Sequence, residues 1–276
     1  METQAEERRT QTDPSAKKPD KPRLSRQAKD RILAIMSPLA LLALWEITAQ
    51  VGLLDTRFFP APTRIASQFV ELVQSGELLA NTWVSLQRLF FGLLLGGIPA
   101  LILGLIMGLY RPIRAAIDPL IAATYPIPKS AVLPLILLIF GLGEPSKIVM
   151  VAIGVFFPVV INTTAGVLEI DKIYHDVSKN FGASRWQVFR TVALPGAMPL
   201  IMTGVRLGIG LGLILIAIAE MVGAKSGLGY MIWNAWQIFS VETMYVGILV
   251  ISVLGVLFTV VMNELEQVII PWRRDR

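Results

Sequence analysis

From about residue 32 onward the chain is written in long apolar blocks, and the blocks lack the polar face that a helix on a soluble protein keeps. Six blocks stand out, at roughly 32–51, 88–109, 117–140, 147–168, 199–222 and 243–269. Each is long enough to cross a hydrocarbon core of about 30 Å as a helix. The pattern predicts an all-α, polytopic membrane protein with about six transmembrane helices. The second block is broken by Gly92, Gly96, Gly97, Gly104 and Gly108, and the third by Pro119, Pro126, Pro128 and Pro134. Pro126 and Pro128 predict a kink, and a kink frees backbone groups that only a cavity or a neighbouring helix can satisfy.

The connections between blocks are of three kinds. Residues 1–31 are polar, of mixed charge and carry Pro14, Pro19 and Pro22, so they are expected to form a disordered tail ahead of a membrane domain spanning 32–276. Residues 52–87 include Ile65, Phe69, Leu72 and Val73 at helical spacing, with polar residues between them, which predicts an amphipathic helix at the membrane interface. Residues 223–242 bring Tyr230, Trp233 and Trp236, residue types that suit the interfacial belt.

Charge fixes the expected orientation. Of the 25 Lys and Arg residues, eighteen fall on the tail, on Arg111 and Arg114, on the 171–196 connection and on the C-terminus, while five (Arg57, Arg64, Arg88, Lys147, Lys225) fall on the opposite side. The positive-inside rule therefore places both termini in the cytosol. The same asymmetry accounts for the net charge of +5 without nucleic acid as a partner. Cysteine is absent and histidine occurs once, which excludes disulfides, thiol catalysis and a Cys/His metal cluster.

The chemistry the chain lacks is as informative. The stretch GLGEPSK at 141–147 does not have the spacing of a phosphate-binding loop, and no paired carboxylates or nucleophile–base set suggests an enzyme. Gly204, Gly208 and Gly212 repeat every four residues, like Gly92–Gly96 and Gly104–Gly108, and are expected to let helices pack closely. Polar residues inside spans are costly, so each is a candidate site. Arg206 either snorkels to a headgroup or helix end, or lines a path and attracts an anion. Glu220 would repel an anion unless paired, so a structural or gating pair is expected there. Lys129 follows the proline kink and is expected beside the path. Asn162 and Thr163 (with Thr164) face either solute or a neighbouring helix.

The 171–198 connection is the longest on the cytosolic side and is helical in pattern. Val177 and Phe181 are four apart, Trp186 and Phe189 three apart, Gly182 separates two stretches, and Ser184 is placed to cap the second. Pro195 and Pro199 are expected to end it. The reading is a short amphipathic hairpin whose Phe, Trp and Val need a covering partner.

This segment resembles the EAA loop of the permeases of bacterial ATP-binding-cassette (ABC) importers. Asp176, Val177 and Ser178 stand where that family has Glu-Ala-Ala, and Gly182, Ala183, Ser184 and Leu194-Pro195 stand at matching spacing. With FPAPTRI (59–65), PIPKSAVLPLILLIFGLGEPSKI (126–148) and SGLGYMIWNA (226–235), the chain from residue 32 on is similar to the nitrate/sulfonate/taurine/bicarbonate branch.

The resemblance implies a type I importer permease fold and a non-catalytic subunit that works by alternating access. It implies a second permease copy, cytosolic ATPase subunits that bind the ATP and Mg that this chain does not, an extracytoplasmic solute-binding protein, and the bacterial cytoplasmic membrane. The ATPase would be contacted by Asp176, Gly182, Ala183, Ser184, Arg185, Trp186, Phe189, Leu194 and Pro195. The solute would be a small one, expected to be an anion, and the expected pathway residues are Pro126, Pro128, Lys129, Asn162, Thr163, Arg206 and Glu220.

Overall fold

The computed structural model describes residues 26–273, and within them every regular element is helical. The first helix, α1 (Arg26–Gln50), is 25 residues long and contains Pro38. It begins within the stretch expected as tail, and the rest of that tail lies outside the described residues. It stands as a unit of its own; the account below concerns residues 55–273.

Three helices carry the core: α3 (Glu77–Leu109), α6 (Glu144–Leu168) and α9 (Leu194–Met221). Their glycines set the register. Gly92 lies against Val151, Gly104 against Thr163 and Gly108 against Val167, so α3 and α6 run in the same direction. Gly154 lies against Leu215 and Gly166 against Ala197, so α9 runs the opposite way. The approach is closest at Gly96, where a Cβ would fall on the carbonyl group of Ala152. In lipid, where apolar surface gains little by meeting apolar surface, such small-residue contacts let backbones pack at short range.

Because α3 and α6 are parallel, the chain between them must return across the bilayer. It does so as a broken pair. Helix α4 (Arg111–Thr124) ends before Pro126, and a 3-10 turn (Lys129–Val132) leads into α5 (Leu133–Phe140). The two halves meet at 88°. The span expected at 117–140 is therefore real but not one rod, because Pro126 and Pro128, two residues apart, offer no backbone donors and disfavour helix in the residues before them. Glu77–Leu109, Glu144–Leu168, Arg185–Met221 and Val241–Ile269 are each long and apolar enough to cross as single helices, and the bent pair makes a fifth crossing.

The remaining elements clothe this core. Helix α2 (Pro62–Gln74) buries Ile65 and Leu72 and packs on α11 (Val241–Ile269) and α3, so the amphipathic stretch lies against the bundle as well as along the interface. A short helix, α10 (Leu228–Gln237), folds back between α9 and α11, burying Leu228, Met231, Ile232 and Ala235. Its Trp233 and Trp236 are exposed, with ring centroids 4.7 Å apart.

Candidate functional site

Two regions at opposite ends of α6 and α9 carry the chemistry. The first is the connection between them at the 168/194 end. Asp171 caps α7 (Lys172–Asn180), its carboxylate accepting from Ile173 N at 3.0 Å. The helix stops in a paired-hydrogen-bond motif: Ala183 N donates to Ser178 O and Gly182 N to Lys179 O. Gly182 takes φ +70°, and a Cβ there would meet nothing within 4 Å. The glycine is needed for its backbone angle, not for close approach. Ser184 then opens α8 (Arg185–Val188) with a reciprocal capping box: Gln187 N donates to its hydroxyl and its own N donates to Gln187 Oε1.

From Arg185 the chain stays helical to Met221. The expectation that Pro195 and Pro199 end the second helix is corrected. A π-turn over Phe189–Ala193 precedes Pro195, with Leu194 N donating to Phe189 O. That shift in bonding pattern accommodates the proline, which has no N–H to offer.

The hairpin divides its apolar side chains between two duties. Ile173, Tyr174, Val177, Phe181 and Trp186 are exposed, Phe181 most of all at 87%. Phe189 instead packs against the core around Ala197 and Ile201, and the Trp186 ring stacks on it at 5.3 Å. Of the residues expected to meet an ATPase, Asp176, Ser184, Arg185 and Trp186 are exposed. Gly182 shapes the turn, Ala183 is half-buried, and Leu194 and Pro195 belong to the base of the span. Phe181, read in the sequence as part of the apolar face four residues beyond Val177 but not among the expected ATPase contacts, continues that face from Ile173.

The second region is an ionic cluster at the other end. Arg88 and Lys147, expected on connections, are corrected: both lie inside helices, at 2% and 1% exposure. The apolar block at 88 starts eleven residues after its helix does. Arg88 Nη1 donates to Glu220 Oε1 at 2.8 Å, and its Nε and Nη2 donate to the two Glu144 oxygens at 2.6 Å each. Ser85 Oγ donates to the Glu220 carboxylate, which also accepts from Gly229 N at 2.9 Å. Asn81 Oδ1 accepts from Gly227 N, and Ser85 Oγ accepts from Leu228 N. Lys147 Nζ donates to the carbonyls of Leu142, Gly143 and Gly223. Glu220 is thus a paired carboxylate. The signal for the cluster was present: Asn81, Ser85 and Arg88 fall at i, i+4 and i+7, one face of a helix.

The other expected pathway residues are spread apart. Lys129 Nζ donates to Thr124 O and Tyr125 O, the carbonyls freed by the break, and lies 4.0 Å from the Phe157 ring centroid. Pro126 and Pro128 are exposed beside it. Asn162 donates to Pro158 O within its own helix, and Thr163 is fully buried against Gly104. The Thr163 hydroxyl is buried without a hydrogen-bond partner, and the interhelical bond is made by Thr164, whose Oγ1 donates to Gly104 O at 3.3 Å. Arg206 Nη2 pairs with Glu266 of α11 at 2.5 Å. Among the described residues no group of three His, Cys, Asp or Glu could hold a metal ion.

The family model of the binding-protein-dependent transport system inner membrane component matches residues 100–272. The chain is 33% identical to SsuC of Bacillus subtilis (strain 168), named for aliphatic sulfonates transport, over 87% of each protein. It is 34% identical to the taurine transport system permease protein TauC of Escherichia coli (strain K12), over 91% of this chain and 92% of that one. In structure it resembles a chain of the inward-facing MetNI methionine ABC transporter, with a TM-score of 0.62 at 19% identity, covering 71% of this chain and 97% of that one. The chain thus has a type I importer permease fold and belongs to the binding-protein-dependent transport system inner membrane component family, as a non-catalytic, multi-pass permease subunit of an ABC importer.

Proposed function

We propose that this permease moves a small organic anion of the sulfonate class inward, as one of two copies, driven by ATPase subunits that grip the 172–188 hairpin and fed by an extracytoplasmic solute-binding protein. Its setting is the bacterial cytoplasmic membrane with both termini cytosolic, as the charge asymmetry indicates. The observation that carries the ATPase contact is the exposed face of Ile173, Val177, Phe181 and Trp186 on a rigid, doubly capped hairpin. Such a face is costly in water and stable once a partner covers it. A stand-alone carrier leaves that face without a use.

Support for a sulfonate comes from the names of the relatives, not from a free cation in the path. Both deep guanidinium groups are neutralised, Arg88 by Glu144 and Glu220, and Arg206 by Glu266. Selectivity then falls mainly to the binding protein. The test is uptake into vesicles holding the permease, its ATPase and its binding protein, with labelled taurine, nitrate and bicarbonate offered in turn. Taurine accumulation that requires ATP and Phe181 is the expected result. Accumulation of nitrate or bicarbonate in preference overturns the sulfonate class, and uptake indifferent to ATP overturns the coupling.

A further inference from the structure

The ionic cluster does more than join two helices. All three backbone donors that open α10, at Gly227, Leu228 and Gly229, are held by side chains of other elements: Asn81 and Ser85 from α3, and Glu220 from α9. Glu220 also lies at the N-terminus of α10, where the helix dipole favours a negative charge. Gly227 sits at φ +113°, and a Cβ there would collide with the Glu220 carboxylate, so the turn is shaped around the charge. The opposite end of α10 is held differently. It leads into Phe239, the one non-glycine residue at positive φ among those described, 81% exposed. One end of α10 is therefore tied by charge, and the other ends in a strained, exposed joint.

Arg88 is the branch point. It divides its donors among Glu220, which is wholly buried, Glu144, whose side chain is 61% exposed at the first turn of α6, and Ser226 just before α10, whose carbonyl accepts from Nη1 at 2.7 Å. A buried ion pair is poor value for stability alone, since apolar residues of the same shape do as well or better. An arginine shared between a buried and a water-facing carboxylate can instead be released from one without being stranded. We propose that Arg88 and Glu220 are positioning residues of the transport cycle, holding α10 as a movable cover at the end of the bundle opposite the hairpin, with Glu144 as the releasable anchor. The proposal rests on the permease reading and adds to it the element that moves and the charges that hold it.

The chain contains no cysteine, so one introduced at Ala235, buried on α10 at 2% exposure, reports the cover directly. Membranes containing A235C are labelled with a membrane-impermeant maleimide, alone and combined with Glu144→Gln, Glu144→Asp or Arg88→Lys. Glu144→Gln should speed labelling about fivefold or more, the lower range for coupled sites, with only a small fall in melting temperature, because Arg88 keeps Glu220 and Ser226 as partners. Glu144→Asp should return most of the wild-type rate. With the ATPase present, Glu144→Gln should also hydrolyse ATP in the absence of the binding protein, whereas the wild type should need it. Labelling at the wild-type rate in Glu144→Gln, or labelling that rises only with a large fall in melting temperature, overturns the proposal. The labelling arm needs the permease alone, so a wild-type complex that shows no stimulated ATP hydrolysis counts against the functional reading and not against the cover.

Discussion

At Gly182 and at Arg206 a single position decides between two readings of its neighbourhood. Gly182 holds φ +70° with open space around it, so only backbone strain opposes a substitution. Asparagine tolerates that region and a β-branched residue does not. Gly182→Asn should therefore keep the ATPase bound, while Gly182→Val should cost about 1–3 kcal/mol of local stability and lose it, read by co-purification with membrane insertion checked by fractionation. Arg206 was legible as a costly buried cation, but its partner was not, because Glu266 is 60 residues away and no local spacing links them. Since the pair is only partly buried, losing one member should cost about 1–2 kcal/mol. Arg206→Leu should lower the melting temperature in detergent, Arg206→Lys should retain more transport than Arg206→Leu, and the double change Arg206→Leu with Glu266→Leu should recover the stability. Equal melting of the single and double variants would show that the ion pair contributes nothing.

Among the elements, the hairpin was the most legible and the broken span the least. The hairpin's turn, cap and apolar face all depend on residues within a few positions of each other, so Gly182, Ser184 and Val177–Phe181 spoke for themselves. The division of labour between Trp186 and Phe189 did not, since it depends on Ala197 and Ile201 in the following span. This leads to a graded expectation. Phe181→Ser removes an exposed apolar group and should weaken ATPase binding by roughly 1.5–3 kcal/mol with the permease's own melting unchanged. Phe189→Ala should lower that melting as well. A binding titration beside a thermal scan separates the two. The glycine face of α3 gives a third case. Gly96→Val should prevent stable assembly of the bundle, measured as yield of folded protein in mild detergent, because its Cβ would meet the Ala152 backbone, which cannot move aside as a side chain can.

For the whole molecule, hydropathy and charge located the crossings and their directions but not which of them pack together. Alternating spans suggest neighbours that run antiparallel, yet α3 and α6 are parallel partners. The residues that could have revealed it, Gly92, Gly104 and Gly108, match Val151, Thr163 and Val167 only once both helices are in place. The ionic cluster as a whole was hidden for the same reason: its six side chains come from positions 81 to 220 of the chain, and its two cations, Arg88 and Lys147, were tallied as loop charges. Two copies of the chain are expected in the working complex, and native mass spectrometry should find two permease and two ATPase domains. A stable, active particle with a single permease would exclude that.

The π-turn at Phe189–Ala193 has a consequence for the phase between hairpin and span. A π-turn holds one residue more than the α-helical turn it replaces, and each α-helical residue advances by about 100°. The extra residue is therefore taken up inside the turn. Deleting Thr191 would let the ladder close as ordinary helix with Trp186 and the 172–188 hairpin facing nearly the same way, whereas closing the ladder with all its residues kept would swing them by about 100° around the axis of α9. The deletion variant should hold its ATPase, and loss of co-purification with unchanged melting would exclude this account of the phase.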